Sequence, residues 1–101
     1  MLEIRPVCEH CGKALPNDSC EAMICSFECT FCMDCVDTVL ENVCPNCGGA
    51  FEKRPTRPVT CKTKFCVANY PVSSKIYISP AQPERLVALK KVFKDLDPRK
   101  R

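Results

Sequence analysis

Apolar residues recur at helical spacing near the C-terminal end of the chain. Intervals of three, four and three residues place four of them on one face of a helix: Leu86, Leu89, Phe93 and Leu96. Pro83 suits the first turn, so the pattern predicts an amphipathic helix over residues 83–97, with Lys90 and Lys91 largely off its apolar face. Such a stripe docks onto the chain's own domain, or it mediates self-association or pairs with another protein.

Three shorter apolar patterns lie outside that helix. The helical spacing of Val36, Val39, Leu40 and Val43 predicts a helix of about two turns. Residues 22–24 (AMI), followed by Phe27 and Phe31, predict a small hairpin with an aromatic core plug. Residues 74–78 (SKIYI) have the β-branched and aromatic content of a short strand.

Eight of the eleven cysteines form four close pairs within forty residues. Two or three residues separate the members of each pair, which is the spacing of metal ligands, and two such turns complete a tetrahedral zinc site. The sequence therefore predicts two zinc ions bound by thiolates alone, at Cys8, Cys11, Cys25, Cys29, Cys32, Cys35, Cys44 and Cys47.

A zinc-stabilised fold competes here with a disulfide scaffold, the other common architecture of short cysteine-rich chains. Residues 5–50 are too few to bury a core that would hold them folded, so bound metal would supply the missing stability. The N-terminal residues show no export signal, and no segment approaches membrane-spanning length. With an odd cysteine count in addition, the sequence favours zinc in a reducing cytoplasm, without membrane association.

The order of the four pairs resembles that of the RING finger, with cysteine at all eight ligand positions. Thirteen residues separate Cys11 from Cys25, two separate Cys29 from Cys32, and eight separate Cys35 from Cys44. The resemblance implies an interleaved cross-brace, with one zinc on Cys8, Cys11, Cys32 and Cys35 and the other on Cys25, Cys29, Cys44 and Cys47. Sequential filling stays open, although it leaves too little chain between adjacent sites to form separate cores.

Three longer motifs resemble a bacterial family of small cysteine-rich proteins catalogued as domain of unknown function 1272. They are residues 8–16 (CEHCGKALP), 22–32 (AMICSFECTFC) and 43–49 (VCPNCGG), within a resemblance that covers residues 4 to about 79. It implies a bacterial cytoplasmic protein with structural zinc and carries no assigned activity. The predicted fold is thus a small zinc-stabilised α+β, RING-like cross-brace with two zinc sites, an extended basic arm and a C-terminal helix.

Charge separates the chain into two halves. Residues 1–50 carry a net charge of −6 and residues 51–101 one of +9, and each zinc held by four thiolates adds a further −2 to the first half. Glycines and prolines after the last paired cysteine predict a linker. The predicted divisions are a double-zinc module over 5–50, a basic Pro-rich arm over 51–82, the helix over 83–97 and a basic tail over 98–101.

The basic half suggests three roles. It could bind an acidic protein partner, or it could fold back and neutralise the zinc module within the molecule. It could also bind nucleic acid, through Arg54, Arg57, Lys62 and Lys64. We expect a non-enzymatic protein-interaction module, with a nucleic-acid-binding zinc protein as the alternative. A RING-type ubiquitin-ligase-like adaptor is disfavoured, because Glu9 stands where such ligases carry an apolar residue and Gly48 where they often carry a basic one.

Catalysis has little support in the sequence. The single histidine, His10, lies inside the first cysteine pair, and sites filled by four thiolates leave no open position for a zinc-bound water. Cys20, Cys61 and Cys66 remain outside the four pairs. They are interpreted as ordinary thiols, as a third zinc site completed by His10, or, for Cys61 and Cys66, as a redox-active pair beside lysines.

Overall fold

The computed structural model describes residues 1–78 and 83–101, and its fold is a small α+β arrangement. The strands are β1 (Ala22–Ile24), β2 (Thr30–Cys32) and β3 (Glu52–Lys53). A short α-helix, α1 (Met33–Cys35), continues directly as a π-helical segment (Val36–Leu40). The C-terminal helix α2 (Pro83–Phe93) is followed by a 3-10 turn (Pro98–Lys100). The last part of the predicted arm, residues 79–82, lies outside the described residues.

The three strands form one antiparallel sheet in the order β2-β1-β3. Met23 in β1 pairs with Phe31 on one side and with Lys53 on the other. The predicted hairpin is confirmed, and Phe31 is its core residue, with its ring edge-on to Phe51 at a centroid distance of 5.4 Å. Phe27 does not join this core, since it lies in the turn of the hairpin with 72% of its surface exposed.

The predicted short helix is present around Val36 and Leu40, which are both buried. It ends where Glu41 and Asn42 adopt left-handed backbone conformations, with φ of 49° and 59°. Val43 therefore lies beyond the helix, although it is fully buried. This helical segment and the hairpin enclose a core in which cysteine side chains are interleaved with Leu15, Phe31 and a few others.

The basic arm folds back over the cysteine-rich half. Arg54 is only 4% exposed, and its guanidinium donates to the carbonyls of Arg5, Leu15 and Pro16 at 2.7–3.1 Å. The Arg57 guanidinium donates to the carbonyls of Leu2 and Tyr70. Phosphate contact by these arginines was one of three alternatives for the basic half, and folding back over the cysteine-rich half was another. The internal hydrogen bonds occupy both guanidinium groups, because the neighbouring loops present backbone carbonyls that need donors.

The strand predicted at residues 74–78 is not formed. This stretch has no regular secondary structure, and no strand of the described chain pairs with it. It is held instead by side chains, as the Tyr77 hydroxyl donates to the Glu3 carboxylate and the Tyr77 ring lies 4.1 Å from the Arg5 guanidinium. Ile76 and Ile78 remain exposed, so their β-branched content reflects no buried sheet position.

Helix α2 docks onto the chain's own domain, and it is shorter than predicted. It ends at Phe93 rather than at residue 97, which leaves Leu96 beyond the helix and 46% exposed. Leu86 packs against the core cluster. Lys90 was predicted off the docking face, yet it is half-buried there and donates to the Val39 carbonyl at 2.9 Å. Among the described residues, no helix has the length and apolar character needed to cross a membrane.

Candidate metal centre

The first and third cysteine pairs converge on one point. The sulfur atoms of Cys8, Cys11, Cys32 and Cys35 all lie within 4.8 Å of one another. The first pair comes from a loop before the hairpin, whereas Cys32 ends β2 and Cys35 ends α1. The Sγ atoms of Cys11 and Cys32 are 3.7 Å apart. In a tetrahedral zinc site with zinc–sulfur bonds of about 2.3 Å, two sulfurs are separated by about 3.8 Å. The residues therefore fit a tetrahedral metal ion.

The second and fourth pairs converge less completely. The sulfurs of Cys25, Cys44 and Cys47 lie within 4.8 Å of one another. Cys29 falls outside that limit, but its thiol influences the pKa values of Cys25 and Cys44. The Asn46 side-chain amide also donates to the Cys29 sulfur at 3.4 Å. Cys29 thus borders the group as its fourth thiol.

Backbone N–H groups point at the sulfurs from the loops that carry them. His10, Phe27 and Gly49 donate to the sulfurs of Cys8, Cys25 and Cys47 at 3.4 Å each. Each donor lies two residues after its cysteine, which is the geometry of a metal-binding knuckle. Such bonds stabilise a thiolate, because they place a partial positive charge against the anionic sulfur.

Two of the knuckles close with a glycine in the left-handed conformation. Gly12 and Gly48 have φ of 76° and 77°, and each donates back to the carbonyl of the first cysteine of its pair, at 3.0 and 2.9 Å. A residue with a Cβ is strained at this φ, so glycine lets the chain turn away immediately after the second ligand.

The thiols in each group perturb one another. In the second group, hydrogen bonds from the Cys29 and Cys44 thiols lower the pKa of Cys25 to about 3, and the contact with Cys25 raises the pKa of Cys44. In the first group, the Lys13 backbone N–H lowers the pKa of Cys11. Burial raises the pKa values of Cys32 and Cys35. Closely spaced thiols cannot all lose their protons, because the thiolates would repel one another. A bound divalent cation removes this obstacle, because its charge compensates that of the thiolates.

A buried ion pair supports the first knuckle, and sequence reasoning missed it. Glu9 is 3% exposed, and its carboxylate accepts from the Arg5 guanidinium at 2.9 Å and from the Thr30 backbone N–H. Burial raises the pKa of Glu9. Arg5 also donates to Glu3 at 3.2 Å, which links the knuckle to the N-terminal segment. The opposite charges of Arg5 and Glu9, four residues apart in the sequence, were the signal from which this ion pair could have been predicted.

The third zinc site predicted from Cys20, Cys61, Cys66 and His10 is not assembled. Cys61 and Cys66 are joined as a disulfide, which removes both thiolates, and Cys20 is an exposed free thiol. His10 instead places its Nδ1 atom 3.6 Å from the Cys35 sulfur, beside the first cysteine group. The alternative of a third site is therefore wrong, and so is the interpretation of Cys61 and Cys66 as ordinary free thiols, because the two sulfurs are bonded to each other.

The disulfide leads to a prediction about metal content. A Cys61→Ser/Cys66→Ser variant is expected to bind as much metal per chain as the wild type, because the bridge lies outside both cysteine groups. Elemental analysis of the two purified proteins measures this, with Cys35→Ser as the comparison that should lose metal. If the double variant lost as much metal as Cys35→Ser, the bridge could not be separate from the metal centre.

The cysteine-rich half is the part of the chain that matches a known family. A family model described as "Protein of unknown function (DUF1272)" matches residues 1–57. A curated relative from Rhizobium meliloti (strain 1021), described as an uncharacterized protein, is 48% identical over 87 residues, covering 84% of this chain and 98% of the relative. No solved structure matches the chain.

The two cysteine groups and the small α+β fold define a cysteine-cluster protein with the donor sets of a metal site. The chain belongs to the DUF1272 family, as the motifs at residues 8–16, 22–32 and 43–49 indicated. All three motifs fall within the matched residues, and they supply all eight clustered cysteines except Cys35.

Proposed function

We propose that this protein is a non-enzymatic protein-interaction module held together by two zinc ions in a RING-like cross-brace. Four thiolates would hold each ion, in the sets Cys8, Cys11, Cys32, Cys35 and Cys25, Cys29, Cys44, Cys47. The observation that carries the proposal is the convergence of the first pair with the third, and of Cys25 with the fourth pair. Interleaved pairs tie separate loops into one unit, which is what a small chain with a thin core requires.

Zinc is the metal that this donor set favours. Tetrahedral all-sulfur sites take zinc or iron–sulfur clusters, and the turns that carry two thiolates each are typical of structural zinc. When bound, zinc supplies a crosslink that burial cannot supply in a chain of this size. The backbone donors His10, Phe27 and Gly49 would then stabilise the metal-bound sulfurs.

The proposed role is non-catalytic because four thiolates close each site. A catalytic zinc keeps one position open for water or substrate. The single histidine lies against the Cys35 sulfur, where it would support a ligand rather than act as a base on a substrate. Binding of another protein is therefore the role that we assign.

Two alternatives have weaker support. Nucleic-acid binding through Arg54 and Arg57 would require these side chains to leave the carbonyls that they contact, although Lys62 and Lys64 remain exposed. A ligase-like adaptor would need an apolar contact at the position of Glu9, whose carboxylate is buried and paired with Arg5.

Single cysteine substitutions test the proposed pairing. Cys25→Ser and Cys47→Ser are expected to damage the same site and Cys8→Ser the other, so each variant should retain about one zinc per chain. Cobalt-substituted samples report each site through the absorption of the metal–thiolate bonds. Cys20→Ser is the matched control, because its thiol is exposed and lies outside both groups. Evidence that Cys25 shares a metal with Cys8 would exclude the cross-brace.

A further inference from the structure

Helix α2 lies on a surface of the cysteine-rich half that is rich in hydrogen-bond acceptors. We call it the helix-docking surface and define it as residues 39–42 and 46–48. It contains the end of the π-helical segment, where Glu41 and Asn42 reverse the chain in left-handed conformations. The carbonyls at a helix C-terminus carry partial negative charge, and the Glu41 carboxylate adds a full one. This surface therefore suits cations.

Basic side chains of the C-terminal segment occupy these acceptors. Lys90 donates to the Val39 carbonyl at 2.9 Å, and Lys94 pairs with Glu41 at 3.0 Å. The Arg101 guanidinium donates to the Asn42 carbonyl at 2.6 Å. Lys90 and Lys94, one helical turn apart, thus contact the negative C-terminal end of the π-helical segment. Arg101, at the end of the chain, contacts the same region.

An aromatic ring fits the surface where glycine provides room. The Phe93 ring lies so close to Gly48 that a Cβ added there would be 2.6 Å from the ring. Any other residue at position 48 would push the ring away. The surface therefore has a notch at Gly48 that accepts an aromatic ring. Beside it lies a cation site, formed by the Val39 carbonyl and the Glu41 carboxylate.

The helix that fills this surface is only lightly buried. No residue of α2 is buried, and Val87 and Val92 on the helix are 51% and 59% exposed. Its ion pairs with Glu41 lie at partly exposed positions, where water and salt screen the attraction between the charges. A contact made chiefly of one ring, one leucine and a few basic side chains can exchange with a competitor of the same chemistry.

We propose that the helix-docking surface is a binding site for a basic amphipathic helix of a partner protein, and that α2 is its internal competitor. The partner helix would carry an aromatic anchor for the notch at Gly48 and lysines for Glu41 and the Val39 carbonyl, as α2 does. This inference rests on the proposed interaction function and assigns its partner class. The bound α2 reduces partner affinity until it is displaced.

A labelled peptide of residues 83–101 is the probe. It is added to three full-length chains: the wild type, Phe93→Ala, in which α2 loses its anchor, and the control Val92→Ala, which changes an exposed neighbour. The peptide should bind Phe93→Ala about tenfold more tightly than the other two, because an internal competitor lowers apparent affinity by the fraction of chains left open. Binding should weaken with added salt.

Two results would overturn the proposal. One is equal peptide affinity for all three chains, and the other is the absence of peptide binding to Phe93→Ala. Amide NMR shifts on peptide binding are expected at residues 39–48, and shifts confined to other residues would also overturn it. Zinc content is measured in each sample, so a chain with two zinc ions and no peptide binding refutes the helix site while leaving the zinc module intact.

Discussion

Removal of metal under reducing conditions is expected to unfold the cysteine-rich half of the chain. Of the fifteen buried apolar side chains among the described residues, six are thiols of the four cysteine pairs. Without metal, these thiols add little to the core beyond what Ile4, Leu15 and Phe31 provide. Zinc contributes on the order of 10–16 kcal/mol of apparent free energy in small zinc modules, more than the stability of most domains of this size.

The measurement is an amide NMR spectrum recorded before and after treatment with a strong chelator, with metal content followed by elemental analysis. Signals of residues 1–57 should collapse to the narrow range of an unfolded chain. Added zinc should restore them and added magnesium should not, because magnesium prefers oxygen ligands. A native spectrum from a chain shown to be free of metal would refute zinc as the source of stability.

Substitution of Arg54 by alanine is expected to destabilise the metal-loaded chain by about 3 kcal/mol or more. The change leaves the carbonyls of Arg5 and Leu15 without their side-chain donor and removes one of the two donors to Pro16. A buried polar group left unpaired costs about 1–3 kcal/mol. Urea unfolding of the zinc-loaded protein measures the loss. Arg54→Lys should recover only part of it, because an ammonium group cannot match the planar spread of the guanidinium.

Lys53→Ala is the matched control, since the neighbouring Lys53 is exposed in β3. We expect it to change stability by less than about 0.5 kcal/mol. If Arg54→Ala left stability unchanged but abolished binding to DNA, the side chain would serve nucleic-acid recognition instead. The pair of variants thus separates a structural arginine from a phosphate-binding one.

The order of the cysteine pairs, through its resemblance to the RING finger, implied which pairs converge, and the grouping of Cys8, Cys11, Cys32 and Cys35 agrees with it. That two thiols of one pair meet follows from local ligand geometry. Two thiolates two or three residues apart must point to the same place, and few arrangements of four such turns fit forty residues. The hairpin around Phe31 and the helical turn around Leu40 followed from short-range patterns in the same way. The family motifs fall in this same half.

The basic half was predicted less well because its structure depends on distant partners. Nothing near Arg54 in sequence shows that it will donate to the Leu15 carbonyl, 39 residues away. Lys90 was placed off the docking face by apolar periodicity alone, yet its ammonium group reaches the Val39 carbonyl. The strand predicted at residues 74–78 failed because strand propensity requires a neighbour to pair with, and the described chain offers none.

The disulfide between Cys61 and Cys66 could be weighed but not deduced from sequence. Cysteine counts exclude neither a third metal nor free thiols, whereas the fold brings the sulfur of the exposed Cys61 to that of the buried Cys66. The buried Glu9 carboxylate was missed for a related reason. A charged residue beside a metal ligand is usually solvated, and only the position of Arg5 makes its burial tolerable.

Synthesis from the N-terminus delivers the two cysteine groups at different times. The set of Cys8, Cys11, Cys32 and Cys35 is complete once residue 35 has left the ribosome, while Cys44 and Cys47 of the other set are still to come. Cys25, a member of the other set, lies in the sequence between Cys11 and Cys32 of the first set. A nascent chain thus presents all four cysteines of the first set before the second set is complete. Twelve more residues supply the remaining cysteines of the second set, and the first set need not come apart for this.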